Sequence, residues 1–195
     1  LAYLWLIFNP DDDLRLKRII NNPPRKIGAK TIDTAVELAA GRQISLYEVI
    51  RRADEHPTLA RAAESLHSFV AMIEALRELA KTLPLPDFYE QVMDLTGYRD
   101  ALARKNDDQS KKRLENVLEL KSTFVDYFER EPEGDLQGLL EEISLFTDID
   151  RLDSSAEAVC MMTMHAAKGL EFPDVFVCGM EEGLFPSFRS MESSE

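Results

Sequence analysis

The sequence is poor in cysteine and histidine, and each scarcity narrows its chemistry. Two cysteines in 195 residues, Cys160 and Cys178, cannot staple a small secreted scaffold; each sits in a short apolar run and reads as a buried free thiol of a cytosolic protein. His56 and His67 have no cysteine or histidine companion at ligand spacing, which argues against a zinc site. Long apolar runs are absent too: nothing approaches the roughly 20 consecutive apolar residues that cross a bilayer. Residues 1–8 are apolar but have neither a basic leader nor a small-residue cleavage site, so they do not read as a signal peptide. There is no initiator Met, and both ends read as cut from something longer. No G-x-x-x-x-G-K-S/T phosphate loop occurs, and no strand-like run ends in an acidic pair suited to Mg²⁺. Self-contained nucleotide hydrolysis is therefore not expected.

Positive charge is scarce as well. Lys and Arg number 23 against 36 Asp and Glu, a net charge of −13. Attraction to phosphate needs positive potential, so the surface as a whole is not a nucleic-acid binder. The distribution says more than the sum. Arg15, Lys17, Arg18, Arg25, Lys26 and Lys30 fall in one stretch with no acidic residue, whereas residues 126–157 carry only Arg130 and Arg151 among many carboxylates. A polarised molecule can hold a polyanion on one face and repel it with another; two solvated helix faces are the alternative.

What is present is mainly helical periodicity. A composition of 45% hydrophobic and 30% charged residues is that of a globular chain able to bury one substantial core. Residues 1–8 read as the end of an apolar helix stopped by Asn9-Pro10, and Asp11-Asp12-Asp13 supplies a cap for a helix to about Asn21. A basic connection leads to a helix from about Ala29 to Ala40, with Gly41 as its stop. Ser45-Leu46-Tyr47-Glu48 has the spacing of a capping box. Apolar residues from Leu59 to Lys81 recur every three or four positions, as on an amphipathic helix. Pro84 and Pro86 break it, and Asp87 can cap the next helix, which Gly97 closes. Residues 109–130 form a second long helix with Leu114, Val117, Leu118, Phe124, Val125 and Phe128 on its inner side, and residues 135–146 a third. Trp5 and the phenylalanines fall on helix faces and read as core. Residues 158–164 and 175–180 are short β-branched apolar runs of the kind buried strands show. The expected fold is mainly α: a multi-helix region over 1–155, then a short α/β segment over 156–195.

Three clusters can carry chemistry. In Met162-Thr163-Met164-His165-Ala166-Ala167-Lys168-Gly169-Leu170-Glu171-Phe172, a polar cluster directly follows a strand-like run, where open α/β sheets present ligand-binding groups. Lys168 can pair with a phosphate, Glu171 can accept from a sugar hydroxyl, and Gly169 permits close backbone approach; an ordinary exposed turn is the alternative. In Arg25-Lys26-Ile27-Gly28-Ala29-Lys30, amides at a Gly-containing turn into a helix N-terminus make a phosphate cradle flanked by cations; the alternative is a plain basic interhelical turn. Thr96-Gly97-Tyr98-Arg99 offers a hydroxyl and an amide at a helix junction, or simply a C-cap with a packed Tyr.

The run from His165 to Pro173, followed by Gly179-Met180-Glu181-Glu182-Gly183-Leu184-Phe185-Pro186, resembles motif V of UvrD/PcrA-type superfamily 1 helicases and its downstream signature. Leu1-Ala2-Tyr3-Leu4, Asn9-Pro10-Asp11-Asp12-Asp13, Arg18-Ile19-Ile20-Asn21, Thr96-Gly97-Tyr98-Arg99 and Arg113-Leu114-Glu115-Asn116 resemble that family's 2B subdomain. The resemblance covers essentially the whole chain. It implies a 2B-like subdomain over 1–155 and part of the second RecA-like domain over 156–195. It further implies nucleotide contacts at Glu171, Gly169 and Lys168, with Glu171 at the ribose, and single-strand contacts at Thr163 and His165. Duplex contacts would fall at Arg25, Lys26, Ile27, Gly28, Ala29, Lys30, Thr96 and Gly97. The family has Gly-Ile-Gly where this chain has Lys26-Ile27-Gly28, which puts the backbone path of the hairpin in question.

The parent protein implied is a cytoplasmic, nucleoid-associated bacterial enzyme that couples ATP and Mg²⁺ to 3′–5′ translocation and strand separation in repair or replication. Its partners would be single-strand/duplex junctions, its remaining helicase domains, and repair or transcription proteins, with no membrane. This segment alone, without a phosphate loop or motif VI, is expected to bind no cofactor and to be inactive. An autoinhibitory protein-interaction module and a helical scaffold are the competing readings.

Overall fold

The computed structural model describes residues 1–105, 107–145, 159, 161, 162, 167 and 171–181. The chain divides into two units, Leu1–Leu145 and Phe146–Glu195. Every regular element among the described residues is helical and lies in the first unit.

Asn9-Pro10 ends α1 (Ala2–Phe8). The Asp12 carboxylate caps α2 (Asp13–Ile19), accepting the Arg15 amide at 2.9 Å, and that bond holds its pKa below the ordinary value. α3 (Ala29–Arg42) runs through Gly41, the expected stop; Gln43 ends it instead, in the left-handed region at φ 55. Its amide reaches back to the carbonyls of Ala39 and Ala40. The reversal falls two residues after the glycine, so a residue with a Cβ takes a conformation that costs it about 1 kcal/mol. Gln43 is exposed. Gln43→Gly is accordingly expected to raise the thermal midpoint by about 2–4 °C; an unchanged or lower midpoint refutes this account of the helix end.

α4 (Leu46–Arg51) has half of the expected capping box. The Ser45 hydroxyl accepts the Glu48 amide at 3.3 Å, while the Glu48 carboxylate turns to Arg51 and Arg52. Asp13 takes the Leu46 amide at 2.9 Å and so ties α4 to α2. Two tight 3₁₀ turns, Ala53–Glu55 and Ala60–Ala62, lead into α5 (Ala63–Leu79), which starts later than the apolar periodicity predicts. α5 packs against α1, α4 and α6, with Leu66, Phe69, Ile73 and Leu76 buried.

α6 (Leu85–Thr96) ends at Gly97, whose φ of 64 lets α7 (Tyr98–Ala103) leave at once in a new direction. Asp107 caps α8 (Asp108–Arg130) by accepting the Ser110 amide at 2.8 Å. The inner line of α8 runs through Ser110, Leu114, Val117, Leu120, Phe124 and Tyr127. Leu118, expected on that side, is 54% exposed: it stands about 100° round the helix from Val117, outside the seam. α9 (Leu136–Leu145) returns to α1 with Leu136, Leu139 and Leu140 buried. The turn before it needs Gly134, because a Cβ there would lie 2.6 Å from Cε1 of Tyr127 and 2.9 Å from the Glu131 carbonyl.

In the second unit, residues 175–180 are described and carry no strand. Val175, Phe176, Val177 and Met180 are exposed, and so is Cys178, expected to be buried. A sheet strand needs backbone partners and covered faces, and the described residues give this run neither. Val159, Met161 and Met162 of the other expected strand also show no pairing, and the rest of that run lies outside the described residues.

Candidate nucleic-acid interface

The basic connection between α2 and α3 is organised by Arg25, whose half-buried side chain reaches into the fold. Its guanidinium donates to the carbonyls of Ile19 at 3.0 Å, Pro23 at 3.1 Å and Thr96 at 3.1 Å, and to the Tyr3 hydroxyl at 2.6 Å. It lies 5.6 Å from the Tyr3 ring centroid and 5.5 Å from that of Phe69. Tyr3 in turn donates to the Asn22 carbonyl at 2.7 Å. Burial pushes the Tyr3 phenol up to about 12, against the opposing pull of Arg25. Arg25 thus pins the end of α2, the turn, α1 and the α6–α7 junction to one point.

The residues after it alternate in exposure. Lys26 is exposed, Ile27 is buried, and Gly28, Ala29 and Lys30 are exposed. Lys26 adopts φ 62, a conformation natural to glycine, so the hairpin turns through a left-handed residue at the position where the family pattern has Gly. Ile27 plugs into the core and fixes the turn from beneath. Gly28 precedes α3 at φ −71 and ψ 156, and no side chain caps the helix there. A Cβ on Gly28 would meet nothing within 4 Å. The protein's own packing does not require glycine at this point; a ligand approaching the first-turn amides does benefit from it.

Thr96 and Gly97 join the same assembly through Arg25. The Thr96 hydroxyl is buried, donating to the Val92 carbonyl at 2.6 Å and accepting the Tyr98 amide at 3.3 Å, while its carbonyl holds Arg25. The Tyr98 ring packs 6.3 Å from Tyr3. Next to it, Arg99 is fixed between Glu90 at 2.8 Å and Asp94 at 2.6 Å, and Lys121 reaches Glu90 at 2.7 Å. The hydrogen bonds from Lys121 and Arg99 hold the Glu90 carboxyl below its usual range.

An open groove of about 500 Å³ runs beside the hairpin, lined by Pro24, Arg25 and Lys26 on one side and by Ser65 and Ser68 of α5 on the other. The pattern of apolar residues on α5 gave no sign of these serines, which occupy its polar face.

Of the second cluster, Glu171 is described and exposed; Thr163, His165, Lys168 and Gly169 lie outside the described residues. Among the described residues no group of three or more His, Cys, Asp or Glu can hold a metal ion. His67 pairs with Asp54 at 3.2 Å, and no described helix is long and apolar enough to cross a membrane.

Residues 1–195 match the family described as UvrD-like helicase C-terminal domain. The chain is 39% identical over 202 residues to the ATP-dependent DNA helicase PcrA of Bacillus subtilis (strain 168), with all of this chain aligned to 27% of that protein. It is 38% identical over 197 residues to the helicase of the same name in Staphylococcus aureus (strain Mu50 / ATCC 700699), again with 100% of the chain against 27% of the relative. It therefore spans about a quarter of the length of these curated relatives. With the match extending over every residue, the chain belongs to the UvrD-like helicase C-terminal domain family.

Proposed function

We propose that this chain is the duplex-gripping and nucleotide-sensing segment of an ATP-dependent 3′–5′ DNA helicase acting in repair or replication in the bacterial cytoplasm, at the nucleoid. In this reading residues 1–155 form a 2B-like subdomain, and residues 156–195 belong to a RecA-like α/β domain whose strands pair with the rest of its sheet. The observation that carries it is the hairpin at Lys26-Ile27-Gly28. It presents an unpaired cation, an uncapped helix start and an unobstructed glycine on one exposed edge.

Phosphate oxygens of the duplex accept from the Gly28, Ala29 and Lys30 amides, while Lys26 and Lys30 supply charge. Ile27 and Arg25 position the turn from inside rather than touching DNA. Thr96 and Gly97 set a second backbone edge held in register by the same Arg25. On the other unit, Glu171 receives the ribose, with Gly169 and Lys168 beside the nucleotide and Thr163 and His165 toward the single strand. ATP and Mg²⁺ supply the driving reaction in the whole protein. The described residues offer no carboxylate cluster for the metal, and this chain turns over no ATP by itself. Partners are the junction, the remaining helicase domains, and repair or transcription proteins.

The test is fluorescence anisotropy with a 3′-tailed duplex, a blunt duplex and a single strand across a salt series, beside Lys26→Glu. Binding is expected to favour the duplex-containing ligands and to weaken about tenfold or more in the variant, with a shallower salt slope. Equal affinity of the two proteins for duplex removes the hairpin from the reading. A second reading, a protein-docking module with little DNA affinity, is favoured by the net charge of −13 and by the exposed carboxylates of Glu129, Glu131, Glu133 and Glu141. It predicts no salt-sensitive DNA binding.

A further inference from the structure

The groove beside the hairpin is walled by Lys26 on one side and by the Ser65 and Ser68 hydroxyls of α5 on the other. Some helical hydroxyls of this chain bond back to their own helix: Thr34 donates to the Lys30 carbonyl, Thr96 to Val92 and Ser144 to Leu140. Ser65 and Ser68 make no such bond, nor any other among the described residues, and Lys26 is in no ion pair there. Serines three apart on a helix stand on one face with Cβ atoms about 5–6 Å apart. The two hydroxyls therefore face the groove as a pair of unengaged donors opposite a cation.

We propose that Ser65 and Ser68 are a phosphate-binding pair that extends the hairpin's grip along the DNA backbone, so that Lys26 is shared between two contact sites. The inference rests on the proposed reading of the hairpin as a duplex contact. A phosphodiester suits the groove because it needs one cation and neutral hydroxyl donors, and because it continues the path that starts at the α3 amides. Glu64, exposed on the groove's rim, opposes it and sets the direction of a second test.

The experiment measures duplex affinity of this chain, by anisotropy across a salt series, for the unsubstituted protein, Ser65→Ala/Ser68→Ala, Glu64→Gln and Lys26→Glu. Serine-to-alanine changes on an exposed helix face favour the helix, so folding is not at risk; thermal melting checks it. The double variant is expected to bind about tenfold more weakly with an unchanged salt slope, since neutral hydroxyls release no counterions. Glu64→Gln is expected to bind about threefold more tightly. Full affinity in the double variant together with weakened binding by Lys26→Glu overturns the serine pair and leaves the hairpin reading intact. Full affinity in both overturns the hairpin reading and the inference with it.

Discussion

Arg25→Ala is expected to lose about 3–5 kcal/mol of stability, which in a chain of this size lowers the melting midpoint by about 10 °C. The guanidinium is the common donor for the Ile19, Pro23 and Thr96 carbonyls and the Tyr3 hydroxyl. Removing it leaves these part-buried acceptors without their common donor, and the α6–α7 junction loses its tie to α2. Arg25→Lys does not restore the arrangement. A single ammonium cannot reach the directions that a planar fork with five N–H groups covers, and it stacks poorly on Tyr3 and Phe69. The lysine variant separates positioning from contact. If Arg25 acts from inside, Arg25→Lys weakens duplex binding by displacing Lys26 and the α3 amides, yet leaves the salt slope unchanged because the same phosphates are neutralised. A normal melting midpoint combined with a reduced slope in Arg25→Ala would instead put the guanidinium on a phosphate.

Arg25 also marks where sequence reading stopped. The six basic residues from Arg15 to Lys30 look alike as letters, and charge alone assigns all of them to the surface. Which of them is engaged inside depends on acceptors 22 and 71 residues away, Tyr3 and Thr96, and no local pattern encodes that pairing. The helices were more legible, because period, caps and breakers are local: Asp12, Ser45 and Gly97 mark ends where the structure has them. Gly41 misled because it is a permissive residue that a helix can also simply absorb, at a cost of about 1 kcal/mol. Leu118 misled because an apolar letter one position off a seam still fits a loosely drawn face. The run at 175–180 is a different case: among the described residues it has no strand partner. β-Branched composition states a fitness for pairing, and pairing is a property of neighbours rather than of the segment. Of the candidate site residues, the hairpin and the Thr96-Gly97 junction were found as separate motifs, and only the fold joined them.

Alkaline pH is expected to unfold the helical unit between about pH 10 and pH 12. Burial raises the Tyr3 and Tyr89 phenols to about 12, and Tyr47 is raised as well, by burial and by Glu74 at 2.7 Å from its hydroxyl. A phenol whose folded pKa lies above the unfolded value holds its proton more tightly in the native state. The stability it contributes is complete below about pH 10, where the unfolded tyrosine titrates, and is lost as pH rises through the folded value near 12. Both hydroxyls make part-buried hydrogen bonds, so solvent screens some of the effect. Discounted for that screening, the two raised phenols amount to roughly 2–4 kcal/mol together, a substantial share of the stability of an ordinary domain. Growing net negative charge acts in the same direction, and Tyr89→Phe separates the two causes. That variant gives up the hydroxyl's bond to the Val117 carbonyl, costing about 1 kcal/mol at neutral pH. It keeps the ring against Phe124 at 4.7 Å and has nothing left to ionise there. Its denaturant midpoint should therefore start lower at neutral pH and fall less steeply above about pH 10, so that the two curves converge or cross. Parallel curves for the two proteins up to about pH 12 would mean that general charge repulsion, not the buried phenol, sets the alkaline limit.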